Sequence, residues 1–551
     1  MNRRRFLSLL TATGWGLFSS HDTHAQTSRV EAFLSQMTLR QKVGQLFLFS
    51  LNGTSFTEDM RRLIAERHAG GMVFFGYNVG TPAEVTQLIN DMQRTALTNG
   101  LPIPLLTAVD QEGGRVMRLQ DAPFSPFPSP MALGAADDSD LTFRVAAAIG
   151  EEMRACGLNL DLAPVLDVNT RPDNPVINVR SFGENPERVA VHGAAFIRGL
   201  QSVGVAATGK HFPGHGSTSV DSHYNLPVVG LDYDHLMQEM SPFRQGISAE
   251  VGAIMTAHVL YPALDQTPAT FSKPIMTDLL RGQLGFQGVL ISDALTMGAV
   301  SEARDDPAYV LRDALLAGVD MLAYGSLPDG RAPTLAAQIN TLEMVLTLVE
   351  SGLVEESRLD ESVRKILNLK AQFGLLDWQP LDPATSAERL KTAAHQEILV
   401  EAANRSVTLF SDGGGLLPLD PAEPLAVLYP AELPQTGAAL FTGQPDALNL
   451  PYPVSPDERS TRRLANQVGR RKVICVTFDT HRYPSQATLV NLLPPERTVV
   501  IAGQSPYDLL YFPQVQTYLM TYGISPYAMA AVQGVLFGNL IAQGKAPISL
   551  L

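Results

Sequence analysis

From Val30 onward one pattern organises the chain: a short apolar run, then a stretch with helical spacing. This alternation restricts the fold more than any other feature. The apolar runs fall at 46–50, 72–75, 105–109, 158–161, 205–209, 253–257, 289–292 and 319–323, each bounded by Gly or polar residues. Helical patterns such as 82–95 and 309–317 lie between them. Short buried strands alternating with helices form parallel sheets, and eight such units predict an α/β fold of the (β/α)8 TIM-like barrel type. A helix expected over 360–373, with Val363, Ile366, Leu367 and Lys370 at helical spacing, closes that region.

A chain of 551 residues exceeds what one core usually supports. The barrel is expected over 28–375, and the Pro-containing stretch 376–394 reads as a linker. A smaller αβα-sandwich domain is expected over 395–551, where 427–429, 473–478 and 499–502 look like buried strands. Residues 1–25 read as an export signal. Arg3, Arg4 and Arg5 precede Phe6-Leu7 and an apolar run too short to span a membrane, with a cleavage point near Ala25. The RRxFL start is similar to a twin-arginine signal, so an exported, periplasmic protein is expected.

Net charge is −14, which opposes binding to nucleic acid or to anionic membranes. Cys156 and Cys475 are the only cysteines, too few for a metal framework, and their separation gives no reason for them to pair.

Charged and titratable groups collect where the proposed barrel strands end. DQEGGRVMR follows the third strand and puts Asp110, Arg115 and Arg118 at the mouth, with Gly113-Gly114 permitting a sharp bend. Asp161 and a long loop carrying Arg180 follow the fourth. KHFPGHGSTSVDSH, from Lys210 to His223, follows the fifth, His258 the sixth and Asp293 the seventh. Barrel enzymes keep their active sites at this end. Asp293 ends a stiff apolar strand, which suits a nucleophile; its alternative role is to cap a helix starting near Ala294. Asp221 and His223 are two apart, so the carboxylate can hold one imidazole nitrogen and leave the other for proton transfer. His211 and His215 are four apart, but Pro213-Gly214 between them disfavours the helix that a zinc pair would use. No Gly-rich phosphate pattern follows a strand.

These motifs together resemble glycoside hydrolase family 3, in particular its β-N-acetylglucosaminidase branch. The resemblance is carried by KHFPGHG with DSH, by DQEGGRVMR and ISDALTM, by AHVLYP and RLDESVRKIL, and in the second domain by ANRSVTLF and GKAPISL, all in order. It implies a retaining glycosidase in which Asp293 is the nucleophile and His223 the acid/base, supported by Asp221. Asp110, Arg118, Arg180, Lys210 and His211 would bind the sugar. The implied substrate is a terminal N-acetyl-β-glucosaminide of peptidoglycan or chitin, with no metal or organic cofactor. A family member of other specificity, or one that hands the glycosyl group to phosphate, is the alternative. Oligomeric state and any contribution of the second domain to the site are left open.

Overall fold

The computed structural model describes residues 20–550 apart from 51, 99, 328, 443 and 445, with backbone alone for 20–25. The expected export signal therefore lies almost entirely outside the described residues.

Eight parallel strands form the first unit: β1 (Phe47–Phe49), β2 (Gly71–Phe74), β3 (Leu106–Val109), β4 (Leu160–Asp161), β5 (Ala206–Phe212), β6 (Ala253–Thr256), β7 (Val289–Ile291) and β8 (Leu322–Ala323). They pair in the order β8-β1-β2-β3-β4-β5-β6-β7. A parallel bridge between Ile291 and Met321 joins the last to the first, so the sheet closes into a barrel. Every residue of these strands is buried, as parallel strands covered on both faces require. Helices return the chain, and side chains cap several of them: Asp138 accepts from the Leu141 amide, Asn185 from Arg188 and Thr334 from Ala337. The helix Glu356–Gln372 buries Val363, Ile366, Leu367 and Lys370, and packs on the helix Ser20–Gln36.

The stretch read as a linker is packed down. It contains two short 3-10 turns, Leu375–Asp377 and Pro383–Arg389, and the Leu381 backbone exchanges hydrogen bonds with the Asn90 amide.

The second unit is a six-stranded sheet: β9 (Thr408–Asp412), β10 (Leu425–Pro430), β11 (Leu448–Tyr452), β12 (Lys472–Thr477), β13 (Thr498–Ala502) and β14 (Thr517–Met520). The order is β9-β14-β13-β12-β10-β11, parallel except for β9. Successive residues alternate between two cores. Ala426, Val473, Cys475 and Val500 face one side, and Val427, Ile474, Val476 and Val499 face the other. On the second side lie helices Ala393–Ser406, Pro434–Phe441 and Pro526–Leu536. On the first lie Leu464 and Leu489 from two helices, together with Met131, Ala132, Ala135 and Val179 of the barrel unit. The sandwich is thus completed partly by the barrel, and the two units share one apolar core. The two cysteines are buried and unpaired.

Candidate active site

The ends of β2 to β8 surround a cavity of about 180 Å³ lined by, among others, Phe75, Asp110, Arg118, Arg180, Lys210, His211, His223 and Asp293. Seven of the eight site residues expected from the sequence therefore meet on one hollow. The eighth, Asp221, stands behind His223.

Its floor is a buried charge network. Lys210 Nζ lies 2.8 Å from Asp110 Oδ1 and 2.7 Å from Glu112 Oε1. Arg180 grips Glu112 with two parallel hydrogen bonds of 2.8 Å, and Arg118 donates to the other Asp110 oxygen at 3.1 Å. Burial works against charge on both carboxylates. Lys210 and Arg118 nevertheless hold Asp110 well below the usual carboxylate range, and Arg180 with Lys210 holds Glu112 down to about 2. Burial likewise opposes the charge on Lys210, and the same two carboxylates keep it protonated above its ordinary value. Arg118 also lies over the Phe75 ring, 5.4 Å from its centre.

The β5 segment is positioned from below by Asp167. One oxygen accepts the backbone amides of His211 and His215 at 3.1 and 2.6 Å, and the other meets His211 Nδ1 at 2.7 Å. Consecutive residues Lys210 and His211 both reach the cavity at a point where the pairing of β5 with β6 shifts register, between Gly209 and Phe212, and where the Lys210–His211 peptide is cis. His215 spends both ring nitrogens on the loop that follows, on Thr218 Oγ1 at 2.8 Å and Ser222 Oγ at 2.9 Å. Burial lowers its pKa to about 4, so it acts there as a neutral hydrogen-bonding strut.

That loop ends in the imidazole–carboxylate pair. His223 Nδ1 lies 2.7 Å from Asp221 Oδ1, and the same oxygen accepts the His223 amide at 2.9 Å. The His223 side chain stays 56% exposed. The Asp221 hydrogen bond raises the imidazole above its ordinary pKa; partial burial opposes this, and the charge on Asp293 adds to it. Since Nδ1 is occupied, Nε2 is the nitrogen available for proton transfer.

Asp293 follows β7, whose rim is fixed by the Ser292 amide on Met321 O (2.8 Å) and by Ser292 Oγ accepting from the Ala323 amide (2.9 Å). Its Oδ1 accepts the Ala294 amide at 2.7 Å. Burial would raise its pKa, but His211, His258 and His223 together with that amide hold it below the ordinary carboxylate value, so it is ionised. The next helix begins only at Gly298, with Met297 at the cap position, which removes the helix-cap alternative. His258 does not line the cavity. Its Nε2 donates to Ala294 O at 3.2 Å, steadying the Asp293 turn from beneath.

Two expected mouth residues lie elsewhere. Arg115, carried outward by the turn at Gly113 (φ 93°) and Gly114 (φ 61°), pairs with Asp479 of the second unit at 3.3 Å. Asp161 is wholly buried, accepts the Gln111 amide at 3.0 Å and has its pKa pushed well up by burial. Glu112 and Asp167 went unread in the sequence. Glu112 sits inside the quoted DQEGGRVMR, but its partners come from residues 68 and 98 positions away.

Among the described residues, none beyond Ser326 lines the cavity. The second unit instead braces the loop that carries Arg180: Arg482 donates to Pro175 O at 2.8 Å, Tyr507 OH accepts from Asn169 at 2.9 Å and Ser505 Oγ accepts from Asn178 at 3.1 Å.

An ionised carboxylate and a half-exposed imidazole whose pKa its neighbour raises, across a hollow rich in donors, can attack a saccharide carbon and protonate its departing oxygen. Fold and cavity together set the protein among the barrel-type glycoside hydrolases. The chain belongs to glycosyl hydrolase family 3, since residues 38–369 match the model of the Glycosyl hydrolase family 3 N terminal domain. It is similar to a beta-hexosaminidase A of Pseudoalteromonas piscicida, 35% identical over 394 residues, covering 68% of this chain and 65% of that one. A beta-N-acetylglucosaminidase/beta-glucosidase of Cellulomonas fimi is 29% identical over 94% of this chain and 95% of its own. A solved family 3 beta-N-acetylglucosaminidase from a Paenibacillus superposes with a TM-score of 0.87 at 36% identity, covering 93% of this chain and 99% of that one.

Proposed function

We propose that the protein is a retaining exo-β-N-acetylglucosaminidase that removes terminal non-reducing N-acetyl-β-glucosamine from peptidoglycan or chitin fragments. The observation that carries this reading is the placement on one cavity of Asp293 and of His223, which Asp221 backs. The names of the Pseudoalteromonas, Cellulomonas and Paenibacillus relatives support the sugar specificity. The small size of the hollow, about 180 Å³, supports exo action.

In the first step Asp293 forms a bond to the anomeric carbon as the glycosidic C–O bond breaks, and His223 Nε2–H gives its proton to the leaving oxygen. In the second, His223 takes a proton from water while the water oxygen replaces Asp293, restoring both groups. Asp110 accepts from sugar hydroxyls, and Lys210, Arg118 and Arg180 donate to them; as permanent cations they do not compete as nucleophiles. The twin-arginine-like start supports an exported enzyme.

Asp293→Ala is expected to lower turnover of an aryl N-acetyl-β-glucosaminide by on the order of a thousandfold or more with the circular dichroism spectrum retained. A slow fluorinated N-acetylglucosaminyl fluoride should leave its sugar on the Asp293 peptide of the native protein, read by mass spectrometry. Native-like activity in the variant, or an inverted product, would remove this reading.

A further inference from the structure

Where the barrel meets the smaller unit lies a second cavity, about 410 Å³ in volume and larger than the sugar cavity. One hairpin divides the two. Val116 and Arg118 line the sugar cavity, and the alternate residues Arg115 and Met117 line this one. We infer that the cavity is a second ligand site, separate from the sugar cavity, for a small monoanion: a carboxylate carried on an apolar, ring-bearing body.

Its place in the sheet comes first. Strands β11, β10, β12, β13 and β14 lie side by side in that order and run parallel, so the sheet's direction of growth reverses between β10 and β12. In open α/β sheets ligands bind beyond the carboxyl ends of the strands at such a reversal. The cavity occupies that position: Gln435 lies in the first turn of the helix after β10, and Phe478, Gln504 and Thr521 follow β12, β13 and β14.

Two polar side chains on its wall lack partners. Gln504 is only 5% exposed, yet its side-chain amide makes no hydrogen bond to any described residue. Arg115 likewise donates none: Asp479 approaches its buried Nη1 to 3.3 Å without forming a hydrogen bond. Buried polar groups are rarely left in this state, and a guanidinium with a free amide beside it suits a carboxylate ligand.

Charge fixes the sign. Among the described lining residues Arg115 alone is charged. Burial pulls its pKa down, and Arg482 and Arg180 pull the same way against Asp479, so its surroundings are short of negative charge. The helix Pro526–Leu536 also begins at the wall, with Ser525 as its cap, and brings its positive end there. Because Asp479 already answers part of the guanidinium charge, one further negative charge suits the site better than a dianion such as phosphate. Phe127, Leu399, Tyr522 and Ile524 supply an apolar wall for the rest of the ligand.

The test titrates the full chain by calorimetry with 4-phenylbutyrate, indole-3-acetate and N-acetylphenylalanine, and with the primary amide of each acid. At least one acid should bind saturably with a Kd of about 1 mM or tighter, and its amide about tenfold more weakly. Arg115→Met and Gln504→Leu should each weaken that acid by about tenfold, whereas Arg118→Met, on the sugar cavity, should leave its Kd unchanged. Gln504→Leu should also keep the native thermal midpoint, since the amide it removes has no partner in the free protein; it therefore reads the site even if Arg115→Met fails to fold. No saturable binding of any acid at about ten times that concentration, equal binding of acid and amide, or undiminished binding in Gln504→Leu would overturn the inference. Weakening by Arg118→Met as large as that by Arg115→Met would overturn it too, by placing the acid in the sugar cavity.

Discussion

The amide of Gly298 donates to the carbonyl of His223 at 2.9 Å, and the adjacent Ala299 amide donates to Ser222 at 3.2 Å. The segment that carries the proposed acid/base is thereby stitched to the chain that leaves Asp293. Two side chains 70 positions apart in sequence are held in register across the cavity by main-chain bonds, not by a contact between themselves.

This stitching predicts a sensitive glycine. A Cβ on Gly298 would lie 2.2 Å from the Tyr224 carbonyl oxygen, so Gly298→Ala must push the His223 loop outward. A displacement near 1 Å at a reacting group costs on the order of a hundredfold. The loss should be largest on substrates with poor leaving groups, which need the proton, and small on an activated aryl glycoside. Uniform loss on both would show that the loop does not govern protonation.

A second prediction concerns pH. Asp221 raises His223 above the ordinary imidazole value of about 6.5, so the protonated acid persists past that pH and kcat/KM falls on the alkaline side as the proton is lost. Asp293 is held below the ordinary carboxylate value, so the acid limb, where the nucleophile gains a proton, lies below that value. In Asp221→Asn the alkaline limb should move to lower pH while the acid limb stays. A pH profile with both limbs unmoved would refute the pairing as the source of the shift.

The third concerns the floor. Glu112 is fully buried and bonded to both Arg180 and Lys210. Removing one partner from a buried ion cluster typically costs about 3 kcal/mol or more. Glu112→Gln should therefore lower the denaturant midpoint by that equivalent and raise KM, since two of the cations facing the sugar lose their anchor. An unchanged midpoint would mean that Asp110 alone suffices to hold them.

All eight barrel strands could be read in the sequence because each is buried on both faces and begins as an apolar run, with charged residues such as Asp161 and Lys210 confined to the end at the mouth. The same held for β10, β12 and β13. Two of the sheet's three remaining strands escaped for physical reasons: β9 and β11 are edges, and β11 (LNLPY) alternates exposed and buried positions and contains Pro451, tolerated only where no partner needs its amide. Charged residues at strand ends were legible as a group because a barrel concentrates them at one mouth. Which way each pointed was not. Arg115 and Arg118 are three residues apart, yet the bend at Gly113-Gly114 sends one to Asp479 and the other to Asp110. Glu112 and Asp167 were hidden for a related reason: their partners are brought near only by the closed barrel, whereas those of His215, Thr218 and Ser222, lie in its own loop.

The core shared between the sheet and Met131, Ala132, Ala135 and Val179 ties the two units into a single mechanical body. Through Arg482, Ser505 and Tyr507 the smaller unit clamps the loop that aims Arg180, while none of its described residues lines the cavity itself. Drift in that sheet would be felt as slack in the guanidinium's aim, so a unit that contributes no described residue to the cavity lining helps to keep the pocket in tune.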